Sequence, residues 1–544
     1  MNAAELLVKC LEKEEVTDIF GLPGEENLDI MEALSHSSIR FIPTRHEQGA
    51  AFIADVYGRL TGKAGVCLAT LGPGATNLMT GVADANMDRA PLVAITGQAG
   101  LERTHKESHQ YIDIVSMFKP ITKWNARVEK GRLVPEMVRK AFKLAESEKP
   151  GACHIELPED IAAEQVEEYY LPKSISKRPC PDDLVLDRAA ELIAASKQPI
   201  ILSGNGVIRG GAAKELRRFV EKSQIPVAET FMGKGSISFE NDLSLLSIGL
   251  QANDYVSCGF DKADLVITIG YDIVEYGPKF WNPRKDKTII HIDSTLSEVD
   301  EYYSPAVEIS ADISETLRLL SERLGEPKKC TYNYTLRDYI KRDLEEHREN
   351  TGCPVKPQKI LWDLRSVMGP EDIVISDVGA HKMWVARMYP AYEPNTVIIS
   401  NGFASMGISL PGAIAAKLAY PERKVVAVCG DGAFLLNSQE LETACRLNLP
   451  IVTMIWNDGA YGLIGWKQVR KYGKDFGISF GNPDFKKYAE SFGAVGYRVE
   501  CASELVPILE DAFRQKRPSV IDIPVDYSEN LKLTEKLGKT ICPI

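Results

Sequence analysis

The sequence predicts an α/β protein with three doubly wound parallel-sheet domains. Short β-branched runs end in glycine turns and alternate with helical patterns, as in Gly65 to Ala69, Ile200 to Ser203 and Val425 to Cys429. This alternation is typical of buried parallel strands covered by helices on both faces. The length of 544 residues accommodates about three domains of roughly 100 to 200 residues each.

Two polar segments divide the chain into three blocks. Leu171 to Asp183 and the charge-dense stretch from Gly325 to Pro357 have the composition of linkers. We therefore expect domains over residues 1–170 (the first block), 184–325 (the middle block) and 355–528 (the third block), followed by a tail over 529–544.

The first and third blocks share glycine landmarks at one constant offset. Each landmark of the third block stands 358 positions after its counterpart: Gly21 and Gly379, Gly49 and Gly407, Gly72 and Gly430. One such match means little, because a glycine after a strand often only supplies a tight turn. Several in register predict two related units on either side of a different middle one.

Composition excludes several classes of partner. The formal net charge is −12, and no long basic run is present, which argues against nucleic acid and against an anionic membrane surface. No apolar run approaches the roughly 18 residues that span a bilayer, and the start resembles an amphipathic helix rather than a signal peptide. Eleven cysteines include no C-x-x-C pair of the kind that binds zinc. We expect a cytoplasmic protein.

The middle block contains a glycine-rich turn after a strand, SGNGVIRGG. A dinucleotide fingerprint requires G-x-G-x-x-G, and the third glycine position is occupied by Arg209. A bound nicotinamide is therefore not expected.

The third block carries the most specific chemical pattern. The strand VVAVC runs into Gly430-Asp431-Gly432-Ala433, and a later strand ends at Asn457-Asp458-Gly459. A glycine turn that opens a helix offers unpaired N–H groups to a phosphate. If the strands are adjacent, Asp431 and Asp458 can share Mg²⁺, which prefers oxygen ligands and bridges to phosphates. The ordinary alternative is that Asp431 caps its helix and Asp458 sits in a surface turn.

This segment resembles the thiamine diphosphate motif, G-D-G followed further along the chain by N-N. The second position here is Asp458, 27 residues after Asp431, so an oxygen ligand is retained although the residue departs from the commonest form. By this resemblance, Asp431, Asp458 and the carbonyl of Ala460 bind the metal. The neighbouring residues implied to bind the cofactor are Gly430, Gly432, Ala433, Tyr461, Gly462, Leu463 and Ile464.

Glu47 stands in TRHEQGAAFIADVYGRLTG, which resembles the RHEQ pattern of the same family. An acid that opens a helix is ordinarily a partner of the helix dipole. The resemblance implies instead that Glu47 moves a proton on the aminopyrimidine and thereby activates the cofactor. Pro73 and Asn77, in GPGATN, match the cofactor-lining loop of the family.

Two further segments of the third block match the family. Glu47 corresponds at the 358-residue offset to Ser405, next to Met406. The resemblance assigns main-chain groups of Ala404 and Met406 to the pyrimidine, with Met406 wedged between the cofactor rings, although a Met is usually core. The D-V-G-x-H segment is implied to lie beside the diphosphate and comprises Val378, Gly379, Ala380 and His381.

The first block helps to separate the possible reactions. Decarboxylases of the pyruvate type use adjacent histidines and a glutamate after the second metal ligand, whereas this chain has His109-Gln110 and Ile464. An apolar Ile cannot relay a proton. The pattern instead resembles the acetolactate synthases, in which the Gln contacts the intermediate. Gln110 is therefore a candidate catalytic residue, while His109 is equally well explained as structural.

The middle block and the end of the chain resemble the catabolic, FAD-independent acetolactate synthases. The biosynthetic enzymes carry an arginine-bearing segment and a tryptophan where this chain has Tyr271 and Lys467. FAD is therefore not expected. Lys467 and the pair Glu25-Glu26 also depart from the catabolic pattern, which leaves the choice of substrate open.

The resemblance covers the whole chain and implies an acetolactate synthase that uses thiamine diphosphate and Mg²⁺. Two pyruvates would condense to 2-acetolactate and CO₂ through a hydroxyethyl carbanion on the cofactor. The alternatives are a 2-oxo-acid decarboxylase that releases free aldehyde, a related carboligase, or a carrier or regulatory protein without chemistry. The family places each cofactor between blocks of different subunits, which implies a homodimer at minimum and favours a homotetramer.

Overall fold

The computed structural model describes residues 1–174, 177–249, 255–330 and 332–530. Within these ranges the strands form three six-stranded sheets, and the pairs within each sheet are parallel. The predicted fold class is confirmed. No helix in these ranges is both long enough and apolar enough to cross a membrane.

The first sheet has the strand order β2-β1-β3-β4-β6-β5. Its central strands β3 and β4 are buried along their whole length, which explains their apolar, β-branched sequences. The strands are β1 (Asp18–Gly21), β2 (Arg40–Pro43), β3 (Gly65–Ala69), β4 (Leu92–Gln98), β5 (Trp124–Arg127) and β6 (Ala152–Pro158). The helices are α1 (Ala3–Lys13), α2 (Leu28–Ser35), α3 (Glu47–Thr61), α4 (Pro73–Met87), α5 (Ile114–Phe118), α6 (Val134–Glu146) and α7 (Glu159–Ala162).

The middle sheet has a different order, β12-β11-β10-β7-β8-β9. Strands β8 and β9 are added on one side of β7, and β10 to β12 are added on the other side. Its strands are β7 (Pro199–Ser203), β8 (Val227–Glu229), β9 (Ser244–Ser247), β10 (Leu265–Ile269), β11 (Thr288–Asp293) and β12 (Val307–Ser310). The helices are α8 (Asp183–Ala195), α9 (Asn205–Arg209), α10 (Ala213–Ser223), α11 (Tyr255–Lys262) and α12 (Ile313–Arg323).

The third sheet has the order β14-β13-β15-β16-β18-β17, which is the order of the first sheet repeated. Its strands are β13 (Ile373–Ser376), β14 (Val397–Ile399), β15 (Val425–Gly430), β16 (Val452–Asn457), β17 (Val495–Arg498) and β18 (Ser519–Pro524). Helix α13 (Tyr332–Glu345) precedes this block and packs against α11 and β9 of the middle block. The helices of the third block are α14 (Pro357–Val367), α15 (Ala380–Met388), α16 (Ser409–Ala419), α17 (Asp431–Asn437), α18 (Glu440–Arg446), α19 (Gly462–Tyr472), α20 (Phe485–Ser491) and α21 (Leu505–Arg514).

The shared strand order agrees with the offset seen in the sequence. At that offset Pro73, which opens α4, corresponds to Asp431, which opens α17. The final residues of α3 and α16 correspond in the same way. The outer two blocks therefore have one topology, while the middle block has another.

The segment from Gly325 to Pro357 is not a plain linker, because it contains α13. Leu336, Ile340 and Leu344 recur at every fourth position, so they share one face of this helix, and all three are buried. Charged residues cover the rest of the segment and conceal the apolar stripe. The predicted domain boundaries themselves stay a prediction, as does the tail, most of which lies outside the described residues.

The first and third blocks bury a common core. Helices α3 and α16 pack against each other, and a Cβ added at Gly412 of α16 would lie 3.0 Å from a methyl group of Val56 on α3. Phe52 and Val56 belong to the same apolar cluster as Ile375 and Ile414 of the third block. This contact fixes the middle of α3 against the third block.

The end of β1 approaches β3 too closely for any side chain. A Cβ at Gly21 would lie 2.0 Å from the backbone oxygen of Leu68, which cannot rotate away. We expect Gly21→Ala to destabilise the protein by about 1–3 kcal/mol, measured as a lower Tm. Gly325→Ala is the matched control, because its Cβ would meet nothing within 4 Å. Equal Tm values for the two variants would contradict this reading.

Candidate functional site

The two carboxylates singled out in the third block meet at one edge of its sheet. Strands β15 and β16 are adjacent and parallel, with Gly430 beside Trp456. Asp431 follows β15 directly, and Asp458 follows β16. Because parallel strands end at the same edge, the two side chains lie at neighbouring strand ends.

Asp431 ties these strand ends together. Its Oδ1 accepts a hydrogen bond from the backbone N–H of Gly432 at 2.8 Å, and its Oδ2 accepts one from the N–H of Gly459 at 2.7 Å. The residue is almost fully buried, and burial raises the pKa of its carboxyl although these donors oppose the rise. Asp431 is the first residue of α17 rather than its N-cap, which is Gly430, and its bond to Gly459 joins it to the loop after β16.

Asp458 lies at the open mouth of the same edge. An added Cβ at Gly462 would stand 2.7 Å from its Oδ2, so the start of α19 closes one side. Partial desolvation, and then the negative charge of Asp431, raise the pKa of the Asp458 carboxyl to about 7. Two neighbouring carboxylates of this kind favour a bound divalent cation, which compensates both charges.

A cavity of about 400 Å³ opens beside these two carboxylates. Its lining, among the described residues, includes every residue of the third block that the sequence nominated for the cofactor, and one residue that it did not, Tyr527. The Tyr527 ring packs against Trp456 with 6.2 Å between ring centroids. The lining comprises Val378, Gly379, Ala380, His381, Ala404, Met406, Gly430, Asp431, Gly432, Ala433, Asp458, Ala460, Tyr461, Gly462, Leu463, Ile464 and Tyr527.

The wall around His381 fits an anionic group. Burial lowers the pKa of the His381 ring to about 3, so the ring is neutral, and its Nε2 is buried with no hydrogen-bond partner in the described residues. A Cβ at Gly430 would lie 3.3 Å from the ring Nδ1. Glycine at position 430 therefore leaves room beside the neutral ring, and an accessible backbone of this kind suits a phosphate bridged to a cation.

Glu47 and Asn77 of the first block contact each other. Glu47 is the first residue of α3, is buried, and its Oε2 accepts a hydrogen bond from the Asn77 Nδ2 at 3.0 Å. Asn77 lies on α4, whose first residue is Pro73. A Cβ at Gly74 would lie 3.5 Å from the other oxygen of Glu47. The structure thus brings Glu47, Pro73 and Asn77 to one edge.

Gln110 lies beside the start of α4. Its backbone has a positive φ of 58°, and its carbonyl oxygen would be 2.5 Å from a Cβ at Gly72. Both His109 and Gln110 are exposed. The backbone carbonyl of His109 accepts a hydrogen bond from the Arg103 Nη2 at 3.1 Å. The main chain of this loop is therefore anchored, and its side chains reach outward.

The first-block residues do not line the cavity of the third block. Among the described residues the lining begins at Val378, whereas Glu47 and its neighbours lie on another edge. In one chain the two nominated groups are therefore separate. Each is assembled locally, at the strand ends of its own sheet.

Asn482 is a contact of Asp431 that the sequence did not reveal. Its Nδ2 donates to Asp431 Oδ2 at 2.7 Å and to Asn457 Oδ1 at 3.0 Å. The segment that carries it returns to the site after α19, where Phe480 N–H donates to the Gly459 carbonyl at 3.0 Å. No motif spacing connects Asn482 to Asp431, because their contact depends on this return of the chain.

Comparison with protein families matches all three blocks. The model described as "Thiamine pyrophosphate enzyme, N-terminal TPP binding domain" matches residues 1–117, the corresponding central domain matches 186–320, and the C-terminal TPP binding domain matches 377–523. These matches correspond to the three sheets in order, and together they cover most of the chain.

Curated relatives extend over nearly the full length. The chain is 38% identical over 546 residues to an acetolactate synthase of Bacillus subtilis, covering 99% of this chain and 96% of the relative. It is 39% identical to a catabolic acetolactate synthase of Raoultella terrigena, covering 98% and 97%. A probable acetolactate synthase large subunit of Methanococcus aeolicus is 35% identical over 98% of this chain. The resemblance predicted from the motifs is confirmed, and the chain belongs to the acetolactate synthase family of thiamine pyrophosphate enzymes.

Proposed function

We propose that this chain condenses two pyruvates to 2-acetolactate and CO₂, using thiamine diphosphate and Mg²⁺. The observation that carries the proposal is the cavity at the ends of β15 and β16, which combines paired carboxylates with glycine-lined walls. Family membership supports the same conclusion. When bound, thiamine diphosphate supplies a nucleophilic carbon and a sink for the electrons released as CO₂ leaves.

The third block would hold the cofactor's charged end. Asp431, Asp458 and the carbonyl of Ala460 are the proposed Mg²⁺ ligands, because carboxylate and carbonyl oxygens suit this cation. Backbone N–H groups of the turn after β15 and the neutral ring of His381 would bind the diphosphate. The net charge of the chain is negative, so the cation and these local donors must supply the attraction.

Glu47 is the proposed proton-transfer residue. The Asn77 amide holds one carboxylate oxygen at 3.0 Å, which orients the side chain and leaves the other oxygen beside Gly74. A carboxyl group held in this way can accept and return a proton at the cofactor's aminopyrimidine. Glu47 is buried, so water competes little for that proton.

The apolar wall favours joining two substrates over releasing an aldehyde. Leu463 and Ile464 line the cavity and carry no titratable proton. A decarboxylase must protonate the carbon from which CO₂ has left, and such protonation requires a nearby acid. Because Leu463 and Ile464 supply no such proton, the part of the wall that they form would favour reaction of that carbon with a second pyruvate. Gln110 is the proposed residue that positions the reacting group.

The middle block supports an enzyme that works without FAD. Tyr271 is almost fully buried, and its ring packs edge-on against Trp281 and Tyr303. Burial holds the pKa of its phenol well above the usual range. This packed aromatic cluster supports the proposal, because by the resemblance the biosynthetic enzymes carry an arginine-bearing segment at this position.

A homodimer is the proposed minimum assembly, and we favour a homotetramer. The cavity lacks Glu47 in a single chain, whereas a second copy could present its own first block. The cavity mouth and its surroundings also expose large apolar side chains, including Tyr461, Ile464, Tyr472 and Phe476, the last of which is 87% exposed. Surfaces of this kind commonly mark an interface. We propose a cytoplasmic location, in keeping with the composition.

Two departures from the catabolic pattern lie apart from the cavity lining. Glu26 is buried and accepts a hydrogen bond from the Thr70 hydroxyl at 2.9 Å. Lys467 is exposed on α19. Glu26 is thus already engaged within the first block, which is compatible with pyruvate as the acceptor.

The first test supplies pyruvate, thiamine diphosphate and Mg²⁺ to the purified protein. We expect 2-acetolactate as the main product, measured as acetoin after acid treatment, and little acetaldehyde. Acetaldehyde as the main product would favour the decarboxylase alternative. No consumption of pyruvate would favour a carrier or regulatory role.

Glu47→Gln should preserve the fold and cofactor binding but reduce kcat about 10²- to 10⁴-fold, because the amide cannot exchange a proton. Glu129→Gln, at an exposed first-block position, should leave kcat unchanged. Both are measured with acetoin formation and with a thiamine diphosphate titration. Near-normal turnover of Glu47→Gln would remove Glu47 from its role.

Asp458→Ala should abolish Mg²⁺-dependent retention of thiamine diphosphate, because it removes a proposed ligand. Asp475→Ala, an exposed residue beyond α19, should retain it. A variant of Asp458 that still saturates at micromolar thiamine diphosphate would contradict the ligand assignment.

Cation binding should also depend on pH. Protons compete with Mg²⁺ for Asp458, whose pKa is raised to about 7. The Mg²⁺ dissociation constant should therefore rise as the pH falls from 8 to 6, by up to about tenfold per pH unit below the pKa. Calorimetric titration measures it, and a constant affinity across this range would contradict the titration of Asp458.

A further inference from the structure

Glu440 is a buried carboxylate to which the proposed chemistry assigns no role. It is the first residue of α18 in the third block and is fully buried. Its Oε1 accepts hydrogen bonds from the backbone N–H groups of Arg45 at 3.1 Å and His46 at 3.0 Å. These two residues directly precede Glu47 in the first block, so Glu440 crosses the interface to hold the backbone at the start of α3.

The start of α3 needs such a partner. The first N–H groups of a helix have no acceptor within it, and a negative charge there is favoured by the helix dipole. The His46 ring accepts the N–H of Gln48 at 3.0 Å, and Glu440 accepts the N–H groups of Arg45 and His46, the two residues before Glu47. Glu440 therefore holds the N-cap residue of α3, His46, and the residue before it.

The position of Glu440 is itself constrained. The Thr443 hydroxyl donates to its Oε2 at 2.7 Å. On the opposite side, a Cβ at Gly49 would lie 2.6 Å from its Oε1, so the side chain fits directly against α3. Because the Glu440 carboxylate is held from both sides, it also fixes the position of the backbone N–H groups that it binds.

The first block makes a matching contact in return. Asp84 of α4 is buried, and its Oδ1 accepts hydrogen bonds from the Ser400 hydroxyl at 2.9 Å and the Ser405 N–H at 3.3 Å. Ser405 is the counterpart of Glu47 at the 358-residue offset, and it precedes Met406. Each outer block thus uses a buried carboxylate to hold the cofactor-facing segment of the other.

We propose that Glu440 is a positioning residue for Glu47. By binding the backbone N–H groups of Arg45 and His46, Glu440 sets the position of the Glu47 carboxylate. This inference rests on the proposed role of Glu47. In the described contacts the Glu47 side chain is held by Asn77 alone among side chains, so its reach depends on the backbone of the first turn. A shift of about 1 Å in a reacting group can cost about 10²-fold in rate.

The test follows the step that Glu47 controls directly, the exchange of the cofactor C2 proton with D₂O. The holoenzyme is saturated with thiamine diphosphate and Mg²⁺, and exchange is measured by quenched-flow NMR. Glu440→Ala should slow exchange about 10²-fold, with the cofactor dissociation constant unchanged. Glu440→Gln keeps one acceptor oxygen and should recover part of the rate.

Glu442→Ala is the matched control. Glu442 lies on the same helix, is partly exposed and pairs with Arg446 at 3.0 Å. The Glu442→Ala variant should exchange the cofactor C2 proton at the rate of the unmodified enzyme. An unchanged rate in Glu440→Ala would overturn the proposal.

A double variant separates positioning from general damage. If Glu440 acts through Glu47, adding Glu440→Ala to Glu47→Gln should slow exchange no further. An equal further slowing would show that Glu440 acts independently of Glu47 and would overturn the inference. If Glu440→Ala does not fold, Glu440→Gln is combined with Glu47→Gln in the same way. A further slowing of exchange in that double variant would again overturn the proposal.

The exchange assay needs no pyruvate, so it is independent of the product formed. Acetaldehyde in place of acetolactate would refute the proposed function without affecting the result for Glu440. Normal exchange in Glu47→Gln would remove the catalytic role of Glu47 and overturn the positioning proposal with it.

Discussion

The parallel pairing of β15 with β16 is the constraint on which the candidate site depends. It brings two strand ends, and so Asp431 and Asp458, to one edge of the third sheet. The two carboxylates are mutually unfavourable when both are charged, and partial burial increases that cost. Such an arrangement is stable when a cation or protons compensate the charge. The two carboxylates at this edge of the sheet therefore favour a bound metal ion.

The repeated topology explains how one chain holds two unlike halves of a site. The first and third sheets share a strand order, so each presents an equivalent edge at the ends of its central strands. One edge carries Glu47 with Asn77, and the other carries the cavity and its carboxylates. Since the two edges are separate in one chain, the proposed homodimer would bring the edges of two copies together.

The contact between the outer blocks connects these edges mechanically. Helices α3 and α16 share an apolar core, and buried carboxylates cross the interface in both directions, from Glu440 to the start of α3 and from Asp84 to Ser405. A buried carboxylate without such donors would be costly. The interface therefore buries apolar surface and also fixes the backbone positions at the start of α3 and before Met406.

The sequence by itself determined the fold class, the repeat and the candidate residues, because these follow from local patterns: β-branched runs before glycine, the G-D-G turn and the acid that opens α3. Helix α13 was missed because charged residues concealed its apolar stripe. Only the tertiary structure revealed the contacts of Asn482, Tyr527 and Glu440 with the candidate site. Each acts through a partner distant along the chain, as Glu440 does with Arg45 and His46, and no spacing in the sequence encodes a contact that exists only after the chain has folded back on itself.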